Sequence, residues 1–280
     1  LGKQLIFSSN RRSSGGDYDI LRDNLHAVWF IETGHLIVDN SYYWQNTSYL
    51  NEVLLSIDKD NNQYAPYAVT FYDNSADEEF YINNLLVYST NANDEEYRSE
   101  FIYHRTIDEN IIGEINEAQI IPFLGDVQQQ YISFFGPEVF SIDFSYLGPD
   151  NFTELIFDKK ENGVSNIYSI DIPKNTSLLD FLSTDNDYPN NAFSILNSEA
   201  NDRCPYVNGH YIVFSSDRAG GYGGYDLYYS FNIEGVWQEP INFGERINTE
   251  YDEFRPISVQ SYEFRNDLMI FSSNRPGGMG

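Results

Sequence analysis

A five-residue stretch, Phe-Ser-Ser-(Asn or Asp)-Arg, occurs three times in this chain, and a glycine-containing turn follows each copy. Phe7, Phe214 and Phe271 correspond, as do Ser9, Ser216 and Ser273, and Arg11, Arg218 and Arg275. A catalytic site is needed once, whereas a scaffold element is needed in every repeat, so the recurrence points to a repeating fold. Two weaker copies, LLVYSTNANDEEYRSEFIYHR from Leu85 and ELIFDKKENGVSNIYSIDI from Glu154, keep the same order of strand, polar turn and strand. The second strand opens with a polar residue and an apolar pair: Asp19-Ile20-Leu21, Glu100-Phe101-Ile102, Asn166-Ile167-Tyr168 and Asp226-Leu227-Tyr228.

A second landmark fixes the phase. Pro66, Pro205 and Pro256 each follow an Asn or Asp by eight residues (Asp58, Asn197, Asn248), and Pro137 marks a degenerate copy. Proline suits the start of a strand, where no ladder donor is lost. The aromatic landmarks Phe7, Tyr88, Phe157, Phe214 and Phe271 are spaced 81, 69, 57 and 57 residues apart. Repeats of several short strands at such spacing read as propeller blades, with the excess length in loops. The sequence therefore predicts an all-β propeller of about five four-stranded antiparallel blades, with a sixth allowed. Residues 1–280 form one domain, the first blade lacking its strand A and the last its strands C and D, as expected for a piece of a longer multidomain protein. In the clearest blade, strand B is IVFSS, strand C is DLYYS, and Trp237 and Pro240 mark strand D. The one helix expected lies within Asn175–Ser183, capped by Asn175 or Thr176.

Composition agrees and narrows the partners. The chain carries 23 Tyr, 20 Phe and 3 Trp, residues that favour strands. Against 43 acidic residues stand 16 basic ones, a net charge of −27. A nucleic-acid binder must neutralise phosphates, so DNA, RNA and anionic lipid headgroups are repelled; solubility or a basic protein partner accounts for the charge. No apolar run approaches the roughly 18 residues of a membrane span, and no signal peptide is visible. The single cysteine, Cys204, allows no intrachain disulfide and reads as a small buried hydrophobe.

In the turn DRAGGYGGYD, Asp217 is expected to accept backbone N–H groups, and Gly220, Gly221, Gly223 and Gly224 to permit positive φ. Asp226 opens strand C, and Arg218 is expected to fold back onto Asp226. A nucleotide loop is excluded because Asp226 stands where the third glycine of G-x-G-x-x-G belongs, and a strand follows instead of a helix.

The strand pair FSS[DN]R-x-GG-x-GG-x-DLY, with W-x-x-P-x-N-x-G and I-N-T-x-x-D-E-x-x-P, resembles the TolB-like (WD-like) propeller repeat of OmpA-family, envelope-associated proteins of Gram-negative bacteria. The likeness is strong over 197–280, good over 1–20 and weak between. It implies a non-enzymatic, periplasmic, outer-membrane-associated scaffold that binds envelope proteins, with peptidoglycan contacted through flanking domains. Type IX secretion and gliding machinery contain such proteins. No cofactor or metal is implied.

Rival chemistries have weaker footing. Some five-bladed propellers are glycoside hydrolases or glycan binders, with carboxylates at a central funnel; a carboxylate buried at the axis in one blade alone would favour that class. No G-x-S-x-G occurs, and His26, His35, His104 and His210 lack metal spacing. His104 is expected to end strand C and His210 to sit at a hairpin edge. Asp58, Asp60 and Asn62 begin like a calcium loop, but Gln63 and Val69 stand where it needs Gly and Glu. The insertions 21–58 and 170–197 are candidate contact surfaces. Tyr42, Tyr43 and Trp44 are candidate partner contacts, or else they pin the insertion to its blade.

Overall fold

The computed structural model describes residues 3–9, 19–25, 53–54, 63–74, 80–92, 96–108, 111–115, 117–125, 130–136, 152–259 and 268–276. These form five antiparallel sheets in chain order. The first holds β1 (Lys3–Ser9), β2 (Asp19–Leu25) and β3 (Val53–Leu54); the second holds β4 (Gln63–Asn74), β5 (Phe80–Ala92), β6 (Glu96–Asp108), β7 (Ile111–Ile115) and β8 (Gln119–Ile120). The third holds β9 (Ile132–Phe135), β10 (Glu154–Glu161), β11 (Val164–Asp171) and β12 (Asn191–Ala192). The fourth holds β13 (Asp202–Asn208), β14 (Tyr211–Ser216), β15 (Asp226–Ile233), β16 (Val236–Trp237) and β17 (Ile241–Asn242), and the fifth β18 (Glu253–Val259) and β19 (Leu268–Ser273). Within each sheet, strands that follow one another in the chain pair as neighbours, except β8 and β17, which pair with β6 and β15. The expected strand D is split in the fourth sheet: β16 and β17 flank Gln238–Pro240, and both pair with β15.

The aromatic landmarks fall at one register. Phe7 faces Leu21, Phe157 faces Tyr168 and Phe214 faces Tyr228. The second sheet departs: Tyr88 faces Glu100, and Arg98, opposite Thr90, takes the place that Asp226 holds in the fourth sheet. Glu100 is therefore not the counterpart of Asp226. Its buried carboxylate is satisfied by the Tyr88 hydroxyl at 2.9 Å and Arg98 Nε at 2.6 Å. His104 lies inside β6 and does not end it.

The prolines also sit differently from the expectation. Pro66, Pro205 and Pro256 lie within β4, β13 and β18, each at a bulge where the register shifts. The residue before each one has a left-handed backbone: Ala65 (φ 51°), Cys204 (φ 56°) and Arg255 (φ 56°). A bulge already leaves one residue out of the ladder, so a proline there forfeits nothing.

Consecutive sheets pack face on face. Val87 and Phe101 of the second sheet share one core with Phe134, Leu155 and Phe157 of the third. Ile156 and Ile167 of the third sheet share another with Phe214, Tyr228 and Trp237 of the fourth. Fully burying a phenylalanine such as Phe214 (0% exposed) stabilises the fold by about 2–3 kcal/mol. A short helix, α1 (Leu178–Ser183), closes the first of these cores through Leu178, Phe181 and Leu182. Its cap is Ser177, not Asn175 or Thr176: Ser177 Oγ accepts the Asp180 N–H at 3.1 Å, while Asn175 is left-handed (φ 61°). Ser177→Ala is expected to cost about 1 kcal/mol, read as a lowered midpoint in urea unfolding.

Candidate functional site: a repeated polar latch

The residues singled out in the sequence converge where one sheet meets the next. Arg218, just beyond β14, does not reach Asp226. Its Nη2 donates to Asp202 Oδ1 and to the Leu196 carbonyl, both at 2.6 Å, and its Nε donates to Ser216 Oγ at 2.9 Å. Asp202 Oδ2 also accepts the N–H and hydroxyl of Ser198, at 2.6 and 2.9 Å. The guanidinium lies 4.8 Å from the Tyr228 ring centre, which adds cation–π attraction. Asp202 is fully enclosed (0% exposed), so its charge requires this set of donors.

The fifth sheet repeats the arrangement. Arg275 Nε donates to Glu253 Oε1 at 3.0 Å and Nη2 to the Ile247 carbonyl; the Thr249 N–H, the Thr249 hydroxyl and the Ser273 hydroxyl satisfy the rest of the carboxylate. In both latches an asparagine clamps the preceding sheet. Asn248 accepts from the Leu227 N–H at 2.8 Å and donates to its carbonyl at 2.9 Å; Asn197 does the same to Ile167, both at 2.8 Å. An amide side chain thus stands in for the backbone of a neighbouring strand.

Beside each clamp is an amide–carboxylate pair. Asp217 accepts a backbone N–H, but that of Asn201 (2.6 Å), outside its own turn, and it accepts Asn201 Nδ2 at 2.8 Å. In the next sheet the types are exchanged: Asn274 accepts the Asp252 N–H at 2.8 Å and donates to Asp252 Oδ2 at 2.7 Å.

Asp226 organises the glycine turn from within. Its Oδ2 accepts the Tyr222 N–H at 2.7 Å and Asn242 Nδ2 at 2.8 Å, and its Oδ1 the Gly223 N–H at 3.1 Å. Of the four glycines only Gly220 has positive φ (+92°). The others answer to space: a Cβ at Gly223 would meet the Tyr251 carbonyl oxygen at 1.9 Å, and one at Gly224 would meet Asp252 Oδ1 at 2.3 Å. In the first sheet, Ser9 faces Asp19 as Ser216 faces Asp226. Arg11, Tyr42, Tyr43, Trp44, His26, His35, Asp58, Asp60 and Asn62 lie outside the described residues.

Nothing local in the sequence sets Asp202 apart, and Glu253 enters only as the E of I-N-T-x-x-D-E-x-x-P, although each stands three residues before its proline. Asp158 carries no sequence signal either. It is buried (2% exposed) and accepts the Tyr131 N–H at 2.7 Å, the Cys204 N–H at 3.2 Å and Arg203 Nε at 3.3 Å. Burial pushes its carboxyl up; Arg203 and the two N–H groups pull it back only in part. Ser215 plays the same role one sheet later, accepting the Arg255 N–H at 3.1 Å. Burial, then the neighbouring Asp158, pushes the Cys204 thiol well up, so it is a poor nucleophile. His210 is exposed at the β13–β14 turn.

Among the described residues no group of three or more His, Cys, Asp or Glu is placed to hold a metal, and no helix is long and apolar enough to cross a membrane. No protein-family model and no curated protein matches the chain.

The latch has a pH signature. Burial alone would raise the Glu253 carboxyl, but the Thr249 hydroxyl and N–H, then Arg275 and Ser273, outweigh it and hold the group below the ordinary glutamate range. A carboxyl held low in the fold adds stability that is complete above the unfolded value and is lost as pH falls through the folded one. Glu253→Gln is expected to flatten the acid limb of stability against pH, checked by denaturant unfolding from neutrality down to about pH 3.

Proposed function

We propose that the chain forms a propeller of about five blades that serves as a non-enzymatic, rigid protein-binding platform in a bacterial envelope assembly. The observation that carries this reading is the recurrence of one latch in consecutive sheets, each copy built from an arginine, a buried acid and a clamping asparagine. The charged residues that looked most like chemistry are spent on bracing turns and the connectors that lead from one sheet to the next, which is what a stiff platform requires. Stiffness favours binding, because little conformational freedom is then lost on association. The −27 net charge favours basic protein partners over nucleic acid or anionic lipid. The TolB-like character of the repeat adds the periplasmic, outer-membrane-associated setting and the link to secretion or gliding machinery.

The test is affinity purification of the protein from the cells that make it, with the co-purifying chains identified by mass spectrometry. A stable set of envelope proteins is expected; a protein recovered alone overturns the platform reading. A second reading, a five-bladed glycoside hydrolase, draws on Asp158, a carboxylate where the next sheet has Ser215. Glycan hydrolysis that Asp158→Asn abolishes without loss of fold would establish it instead.

A further inference from the structure

Arg203 is not used as the latch arginines are. Arg218 and Arg275 spend terminal nitrogens on their carboxylates or connectors. Arg203 donates through Nε alone, to Asp158 at 3.3 Å, and among the described residues neither of its terminal nitrogens has an acceptor. A guanidinium carries five donors, so most of the capacity of this one is unspent.

Its place in the fold is central. β4, β9, β13 and β18 each form one edge of their sheet, and each packs against the next. The row curves: Arg255, on the fifth sheet, lies 5.8 Å from the ring centre of Tyr131, which leads into β9 of the third, so alternate sheets meet across β13. There Phe254 is shared by two cations, with Arg203 5.7 Å and Arg255 5.5 Å from its ring centre. Attraction of both to one ring offsets their mutual repulsion. Arg255 is exposed.

The scaffold does not require these side chains. Arg203 faces Ser215 two residues before its proline; at the same place Tyr64 faces Ser89 and Phe254 faces Ser272. Arg255 stands where β4 has Ala65 and β13 has Cys204, all three left-handed. A left-handed residue is most easily a glycine or an asparagine, so the bulge gives no reason for a long cation. Where the backbone repeats and the side chain does not, the side chain answers to something other than the fold.

We propose that Arg203 and Arg255 form a binding site for a carboxylate carried by a partner polypeptide. Guanidinium forks match the two oxygens of a carboxylate, which a C-terminus and an acidic side chain present alike. The net charge of −27 opposes a dianionic phosphate about twice as strongly as a singly charged carboxylate. That the carboxylate belongs to a polypeptide rests on the platform reading.

The test titrates the complete chain with three peptides, followed by calorimetry and by the NMR signals of the arginine Nε–H groups. Acetyl-Lys-Gly-Phe ends in a free carboxylate, its C-terminal amide has none, and the amide of acetyl-Lys-Gly-Glu carries the group on a side chain. The free acid is expected to bind at least roughly tenfold more tightly than its own amide and to shift the Arg203 signal. Affinity is expected to fall roughly tenfold in Arg203→Gln and in Arg255→Gln, and to weaken with salt. Arg255 is exposed, so its replacement keeps the fold, and Arg246→Gln, at another exposed arginine, is expected to change nothing. Equal binding of acid and amide overturns the site. So does affinity indifferent to Arg255→Gln, or tighter binding of inorganic phosphate than of acetate. A glutamate peptide as tight as the free acid supports the site with an acidic side chain as its source; preference for the free acid supports a chain terminus. A chain that binds none of the peptides yet co-purifies with envelope proteins overturns this site while leaving the platform standing. Selective binding of the free acid by a protein recovered alone from cells does the reverse.

Discussion

Replacing Asp202 by alanine is expected to remove about 3–5 kcal/mol of folding stability, because it leaves the inward-turned guanidinium of Arg218 and the Ser198 N–H without their acceptor. The Arg218 side chain is only 18% exposed, so water cannot fully replace the lost carboxylate. The corresponding loss for Glu253→Ala is expected to be smaller, about 1–3 kcal/mol, since Arg275 is 37% exposed and can turn outward. Asp202→Asn keeps the shape and an acceptor oxygen and is expected to fall between wild type and alanine. Urea unfolding of the three variants ranks them. Equal effects for Asp202→Ala and Glu253→Ala would mean that burial does not govern the strength of the latch.

The second large effect is expected at Gly223. An added methyl would lie 1.9 Å from the Tyr251 carbonyl oxygen and 2.6 Å from that of Thr249. Both obstacles are backbone, so the turn and the inter-sheet link must separate, and Gly223→Ala is expected to cost about 3 kcal/mol or more. Gly220→Ala is the control. Its Cβ meets nothing within 4 Å, and only the positive φ (+92°) opposes it, at about 1 kcal/mol. Comparing the unfolding midpoints of the two variants separates close approach from backbone strain. Parity between them would show that the turn does not press on the link.

What the sequence made legible is the element that repeats in type. Phe214 and its counterparts, the strand order and the exchange of polar turn for strand all follow from residue classes that alternation and turn chemistry constrain. The partner of Arg218 was not legible. Asp226 is eight residues away and Asp202 sixteen; both are acids, and both stand opposite Ser216, on either side of β14, so neither spacing nor register decides between them and the side-chain packing does. The second sheet misled for a related reason. Its Glu100 has the residue class expected at the start of a strand, but Tyr88 and Arg98 satisfy it two positions further in. The prolines signalled a strand correctly and its beginning wrongly, since a bulge removes the donor cost that would bar them from the interior. The roles of Gly221, Gly223 and Gly224 depend on what a later segment brings against them, which no local pattern records.

The exchanged pairs, Asn201 with Asp217 and Asp252 with Asn274, bear on how such a chain can change over generations. If the two sheets descend from one duplicated ancestor, one pair has reversed its order, and that takes two substitutions. Passing through two carboxylates would set like charges against each other where the geometry keeps them about one hydrogen bond apart. Passing through two amides keeps an oxygen for every backbone N–H that the joint must satisfy. The passable route between the two states therefore runs through asparagine. For the same reason, grafting the 201 segment of one joint against the 274 segment of the other creates an amide–amide contact that folds, whereas joining the 252 segment to the 217 segment creates a carboxylate clash. Neighbouring sheets are thus exchangeable in one direction and not in the other.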